Sequence, residues 1–493
     1  MEGLFDFIEP GEVVLSSQDA MFSYANHPLV HFYENKGLGS SFMPSNMLQA
    51  SLYSALKEFP LLLGHVRDGL GGQAKVVVDK HDLNLPEFVE SESSIHFQSL
   101  KDAQFEWSAW PRGVATVGPI TTPNKHGTVK LLNVHVVRLR DNSGLVLFCN
   151  IPHIILDGFG YYIFLSHWAA LCRASISPGS TSDAGRVSYV FDRAFVDGRL
   201  QGQRRPLGKQ IVDILTTSSF TSTALNMLSF SSQLRLASLG ISVNRGEAHF
   251  FRTTRESLEE LSSLACAHAS GSPAGVSTYA ILAAVVGAAI CRAQSAADAN
   301  RGLLAKAVSA AANTISSLFG ARPAQFTLVN MVHAHHCLEL DPGSCYIGNP
   351  VVLLPIQAPA KHLAQAAGEE SLAEVAAQVA LAVNGTDASI VGEFISILND
   401  NPGAHARYAA YMSSAANKLT VIDERSYNTR GMDFGAGRPT WVSGIPWHIP
   451  NFVALFASPS RDGDVYFYVS LWPRVAEALA QDRFFTKYAQ FLF

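Results

Sequence analysis

The segment His153-Ile154-Ile155-Leu156-Asp157-Gly158 sets an imidazole four residues before a carboxylate. A neutral imidazole that titrates near pH 7 can take a proton from a weakly acidic hydroxyl, and a nearby carboxylate can brace the corner that carries it. The flanking sequence suits such a site. Thr128 to Arg140 and Leu145 to Ile151 read as two strands joined by the turn signal Asp141-Asn142-Ser143-Gly144. Pro152 has no N–H for a sheet ladder, so the second strand is expected to end there and deliver His153 at its exit. Tyr161 to Leu171 is apolar on most sides and reads as a buried helix. A satisfied structural histidine followed by an ordinary Asp-Gly turn is the alternative reading of the same residues.

A second distinctive segment is Met432-Asp433-Phe434-Gly435-Ala436-Gly437-Arg438-Pro439, whose glycines and proline call for a tight, specific loop. Asp-Phe-Gly also occurs in protein kinases, but this chain has no Gly-rich phosphate loop, no V-A-I-K strand and no H-R-D loop. No G-x-S-x-G motif marks a serine nucleophile, so a base acting without a covalent intermediate fits better.

The chain has 493 residues, enough for two domains of roughly equal size. Apolar residues make up 48% and charged residues 16%, against a usual charged share of about 25%. That composition allows a well-buried core and an apolar ligand channel. The net charge is −5, and the 36 Lys and Arg residues form no long run. This argues against nucleic acid or an acidic membrane surface and for a small-molecule partner. The six cysteines include no C-x-x-C pair and read as free thiols of a reducing compartment. An acidic start, Met1-Glu2-Gly3, does not resemble a signal peptide, and the apolar run Tyr279 to Cys291 is shorter than the roughly 18 residues of a membrane span. A cytoplasmic protein without a membrane span is expected.

Further elements follow in mixed order. A helix from a Ser45 cap through Glu58 is expected, then a strand at Ala74 to Asp79. Beyond a polar stretch come a strand at Phe250 to Arg252, a helix at Arg255 to Ala265 and an Ala-rich helix capped by Ser277 or Thr278 and running through Ala293. Pro350 to Pro355 and Asn451 to Phe456 read as strands, Leu372 to Val383 as a helix, and Asp462-Gly463-Asp464 as a turn into a last strand at Val465 to Leu471.

Together, and in this order, the two motifs resemble those of the BAHD acyltransferases, H-x-x-x-D-G near the middle and D-F-G-W-G near the C-terminus. Weaker matches fill the intervals: Phe59-Pro60-Leu61 with Gly64, Val276-Ser277-Thr278-Tyr279, and Tyr346-Ile347-Gly348-Asn349. Departures also stand out. The loop tryptophan is Ala436, and an arginine-containing segment is replaced by Val329 to His333. Asp423-Glu424-Arg425 stands where the family often has Ser/Thr-Trp near the thioester oxygen. These departures suit a diverged fungal branch better than plant members.

The resemblance implies a mixed α/β fold of two chloramphenicol-acetyltransferase-like lobes, each a mixed sheet with flanking helices, with a central channel between them. The expected division is 1–190, a crossover at 191–245, and 246–493. Acyl-CoA is the implied co-substrate and a hydrophobic alcohol the acceptor, with no metal and a monomeric chain. His153 is the implied general base, and Asp157 the brace of its corner, paired with an arginine for which Arg292 is a candidate. Gly158 would let the backbone pass close to the facing lobe. Asp433, Phe434, Gly435 and Gly437 form the structural loop, and Ser277 and Thr278 at a helix N-terminus are candidates for coenzyme A phosphates. Two alternatives differ from this reading: a carrier-protein-dependent condensation-type transferase, which usually has a histidine where Pro152 stands, and a non-catalytic relative that binds an apolar small molecule.

Overall fold

The hairpin that carries the motif forms between strands Asn133–Leu139 and Gly144–Pro152, paired antiparallel. Its turn uses left-handed backbone at Asp141 and Asn142 (φ 56° and 51°), which their side chains tolerate better than most. The second strand ends at Pro152, so His153 is the first residue beyond the sheet. The computed structural model describes residues 5, 8–23, 25–68, 74–124, 127–176, 187–200, 202, 204–216, 232, 245–268, 276–299, 325–360, 363, 369–401, 403–413, 417–425, 429–460 and 462–493. Much of the expected crossover at 191–245 lies outside the described residues.

Two large mixed sheets carry the architecture. The five-stranded sheet runs Trp441–Gly444, Asn26–Glu34, Gly144–Pro152, Asn133–Leu139, Glu87–Ser93, with only the last pair parallel. The seven-stranded sheet runs Val351–Pro359, Gln325–His333, Lys418–Asp423, Phe452–Ala457, Val465–Leu471, Glu247–Thr253, Gln490–Phe491. Trp441–Gly444 comes from the C-terminal half yet closes an edge of the N-terminal sheet, with Val442 opposite His31.

Each sheet is buried on both faces, so its strands are apolar without a clean alternation. Helices Ser45–Ala55 and Gly158–Ile176 cover one face of the five-stranded sheet, burying Leu48, Leu52, Leu147, Ile151, Phe164 and Trp168 together. Thr278–Ala299 packs on the seven-stranded sheet, close enough at Gly287 that a Cβ there would stand 2.6 Å from Leu328. The two remaining faces meet in an aromatic layer that joins Val30, Phe32 and Phe148 to Phe250, Phe456 and Tyr468.

Several boundaries differ from expectation. Ser45 is the first helical residue and Pro44 holds the cap position; the Ser45 hydroxyl instead accepts from Arg138 Nη2 at 2.9 Å. Thr278–Ala299 is longer than its apolar run suggested, and it is long and apolar enough to cross a membrane by length and composition. However, 78% of its most apolar window is buried inside the protein, as in a core helix.

The Asp-Phe-Gly loop belongs to the N-terminal sheet's core. Phe434 is buried edge-on against Trp168 at 4.8 Å and Tyr33 at 6.0 Å. The Asp433 carboxylate accepts the backbone N–H groups of Gly435 and Gly437, both at 2.8 Å, and so closes its own loop, while Arg173 donates to the Asp433 carbonyl. Gly435 and Gly437 have φ of 97° and 84°, where any side chain would be strained. Replacing Phe434 by alanine should destabilise the chain by about 3–5 kcal/mol, read by denaturant unfolding.

Candidate active site

His153 leaves the sheet facing a cleft of about 1070 Å³ between the two sheets. Its N-terminal wall includes Phe22, Asn26, His27 and His153, and its C-terminal wall Met331, His333, Ile422, Glu424, Trp447 and Phe452. The His153 ring and backbone are held on several sides. Its backbone N–H donates to the Ala25 carbonyl at 2.8 Å, and Phe22 stacks on the imidazole with ring centroids 4.3 Å apart. His27 meets the imidazole edge-on at 5.7 Å.

Asn349 fixes the tautomer. Its Nδ2 donates to Asp19 Oδ1 at 2.7 Å and to the His153 carbonyl at 2.8 Å. Both are pure acceptors, so the amide orientation is settled and Oδ1 faces His153 Nδ1 at 2.8 Å. Nδ1 therefore carries the hydrogen, and Nε2 carries the lone pair. Asp19 is held in turn by Arg193 Nε at 2.9 Å, a pair buried on both sides. Arg193 also donates to the carbonyls of Ile155 (2.6 Å) and Ile347, tying the corner after His153 to the segment that carries Asn349. Burial holds His153 below the ordinary histidine range, with the Asp157 charge pulling weakly the other way. Burial takes His27 further, to about 3. Both rings are neutral at pH 7.

Asp157 is fully buried. Its Oδ1 accepts from Gly160 N at 2.9 Å, and its Oδ2 lies 3.2 Å from His333 Nδ1 and 3.6 Å from His335 Nδ1. Burial opposes its ionisation, but the two imidazoles and the Gly160 N–H outweigh it and hold the carboxyl well below the usual range. Burial also works against a charge on His333, yet the Asp157 hydrogen bond and charge outweigh it and raise His333 above the ordinary histidine value. Burial pushes His335 down, and it stays neutral. The arginine expected opposite Asp157 is not Arg292, which pairs with Asp482 at 2.6 Å on the far helix layer. Gly158 opens the helix and lines the cleft, whereas the approach to Ile347 is made at Gly160, whose Cβ would stand 3.8 Å from it.

The other sequence candidates lie apart from the cleft lining. The Asp433–Gly437 loop backs the Gly158–Ile176 helix. Ser277 caps the Thr278–Ala299 helix, its hydroxyl accepting from Ala280 N at 3.3 Å. Sequence reasoning gave no role to Asn349, although its Tyr-Ile-Gly-Asn segment was a visible signal, and none to Asp19 or Arg193, whose neighbours in sequence carry no pattern.

Where the family often has a Ser/Thr-Trp pair, Asp423 is paired bidentately with Arg425 at 2.8 and 2.7 Å. Glu424 turns into the cleft, and its carboxyl makes no hydrogen bond or ion pair among the described residues. Burial pushes it up to about 8, with the nearby His333 charge only partly offsetting this, so it is mostly a neutral acid at pH 7.

A single family model, described as the transferase family, matches residues 8–483. The chain belongs to that family, the BAHD acyltransferases. Among solved structures it is similar to TRI101 of F. sporotrichioides, complexed with coenzyme A and T-2, at 16% identity and TM-score 0.71 over 98% of this chain and 100% of that one. It is also similar to vinorine synthase, at 16% identity and TM-score 0.57 over 95% and 96% of the two chains. A third likeness is to the first condensation domain of the calcium-dependent antibiotic synthetase, at 14% identity and TM-score 0.53 over 96% and 95%. A search of curated proteins finds no match. This BAHD acyltransferase therefore has the two-lobed fold of those structures, with His153 and the groups that hold it at the meeting of the lobes.

Substitution of Asn349 by alanine should lower kcat by about ten- to a hundredfold, part of the ~10²–10⁴ that a general base supplies. The Asn349 hydrogen bond favours the protonated ring, so its loss should also move the acid limb of the kcat/KM profile to lower pH. A fall in activity with an unmoved acid limb would point to a structural effect alone.

Proposed function

We propose that this acyltransferase moves an acyl group, acetyl to medium chain, from acyl-CoA to a hydroxyl of a hydrophobic secondary metabolite or glycolipid, with His153 as general base. The observation that carries the reading is a neutral imidazole on the cleft wall whose Nδ1 is committed to Asn349, leaving Nε2 to accept. Nε2 takes the acceptor's proton as its oxygen attacks the thioester carbonyl. The tetrahedral intermediate then collapses, the C–S bond breaks, and the leaving thiolate recovers the proton from the imidazolium. Apolar walls at Met331, Ile422, Trp447 and Phe452 suit a hydrophobic acceptor. The T-2 complex of TRI101 is consistent with that class.

Glu424 is assigned the hydrogen bond to the thioester oxygen. A carboxylic acid kept neutral by an apolar site can donate to a developing oxyanion. The coenzyme A phosphates are assigned to the N-terminal end of Thr278–Ala299, where Ser277 and Thr278 offer backbone N–H groups. The chain is expected to act as a cytoplasmic monomer. Pro152, standing where condensation-type enzymes usually have a histidine, favours free coenzyme A over a carrier protein.

Thiol release from acetyl-CoA in the presence of an alcohol panel tests the activity. His153→Ala should keep the fold and lower turnover by roughly 10²–10⁴-fold; turnover near the wild-type rate would remove the base assignment. The pH profile should be bell-shaped. Activity should be lost on the acid side as His153 protonates below its ordinary 6.5, and on the alkaline side as Glu424 ionises near 8. Glu424→Gln, which keeps a neutral donor, should retain most activity and lose the alkaline limb, and persistence of that limb would exclude Glu424 as its source.

A further inference from the structure

We propose that Asp157, His333 and His335 form a binding site for a divalent transition ion of the zinc class, bridging the two lobes behind the base. Asp157 comes from the corner after His153. His333 ends the Gln325–His333 strand of the facing sheet, and His335 begins the short turn that follows it. The turn that begins after His333 brings the His335 ring back toward the same carboxylate oxygen.

The distances fit a shared ion. Ligand atoms about 2.0–2.1 Å from a metal stand about 3–3.4 Å from one another in tetrahedral or octahedral geometry. Asp157 Oδ2 lies 3.2 Å from His333 Nδ1 and 3.6 Å from His335 Nδ1, and the three ligand atoms all lie within 4.8 Å of one another. The second carboxylate oxygen is occupied by Gly160 N, which orients Oδ2 toward the imidazoles in the way that outer partners orient metal ligands.

His335 supplies the independent observation. Its ring is deeply buried under Phe159, whose centroid is 4.2 Å away, and neither ring nitrogen completes a hydrogen bond of normal geometry. The Tyr346 backbone carbonyl also bears on the ring. A proton shared by Asp157 and His333 leaves His335 unsatisfied, at the full desolvation cost of a buried polar group. An ion held by all three residues satisfies it and suits the imidazole–carboxylate donor set. Its role is to pin the corner, since Asp157 and the two histidines come from facing lobes.

The test uses the full-length chain without a histidine tag, stripped by chelator and titrated with Co²⁺. The expected result is one equivalent bound, with the visible bands of Co²⁺ in a nitrogen–oxygen site, and displacement by Zn²⁺. His335→Ala should weaken binding about a hundredfold or more, while His153→Ala, which keeps all three ligands, should bind as the wild type does. His335→Gln, closer in size, gives the same expected weakening if the alanine variant does not fold. No uptake by the wild-type chain, or undiminished uptake by the His335 variants, overturns the site. Neither result depends on acyl transfer.

Discussion

The Asn349 amide has two hydrogens and one oxygen to place, and its surroundings offer two acceptors and one ring nitrogen. Only one arrangement satisfies all of them, and it leaves the His153 lone pair on Nε2. The arrangement holds because Asp19 cannot move: Arg193 pins it in a buried ion pair while also gripping backbone carbonyls of Ile155 and Ile347. A buried pair of this kind contributes little net stability, but removing one partner strands the other charge. Its value here is positional. It fixes the amide, the amide fixes the His153 imidazole, and the imidazole faces the cleft.

That chain of contacts crosses the meeting of the two halves. Asp19 and His153 belong to the N-terminal half, Asn349 to the C-terminal half, and Arg193 to the segment that follows the first lobe. The aromatic layer between the sheets keeps these groups in register, and Trp441–Gly444 adds a backbone tie by joining the N-terminal sheet. Close-packed interiors resist continuous deformation, so the relative placement of the halves is transmitted to the site with little slack. Asp157 and its two histidines make a second crossing a few residues away.

Electrostatics divides the labour along the cleft. Burial lowers His153 and His27 and raises Glu424, which holds these cleft-facing groups toward their neutral forms, while the Asp157 carboxylate and the Asp19–Arg193 pair are buried in the protein around them. The Asp433 loop takes no part in this. It closes on its own backbone and fills the N-terminal core, which accounts for two glycines at left-handed positions and a buried phenylalanine between them and the strand.

Local chemistry was legible in the sequence. Pro152 ended a strand because it lacks an N–H, so His153 had to emerge at that strand's end, and the glycines of the second motif required a tight loop. The run at Val465–Leu471 and the helix beginning at Thr278 followed from periodicity and capping. The partners were not legible. Strands Asn26–Glu34 and Lys418–Asp423 are buried on both faces and carry histidine, lysine and aspartate, so no alternation marks them. Arg292 was a reasonable candidate for Asp157 by charge alone, yet the fold sends it to Asp482 and brings two histidines instead. The sequence by itself determined which residue types could do the chemistry and the local turns that expose them. Only the tertiary structure decided which groups from distant segments meet, because hydrogen-bond partners and desolvation depend on three-dimensional packing that no spacing along the chain encodes.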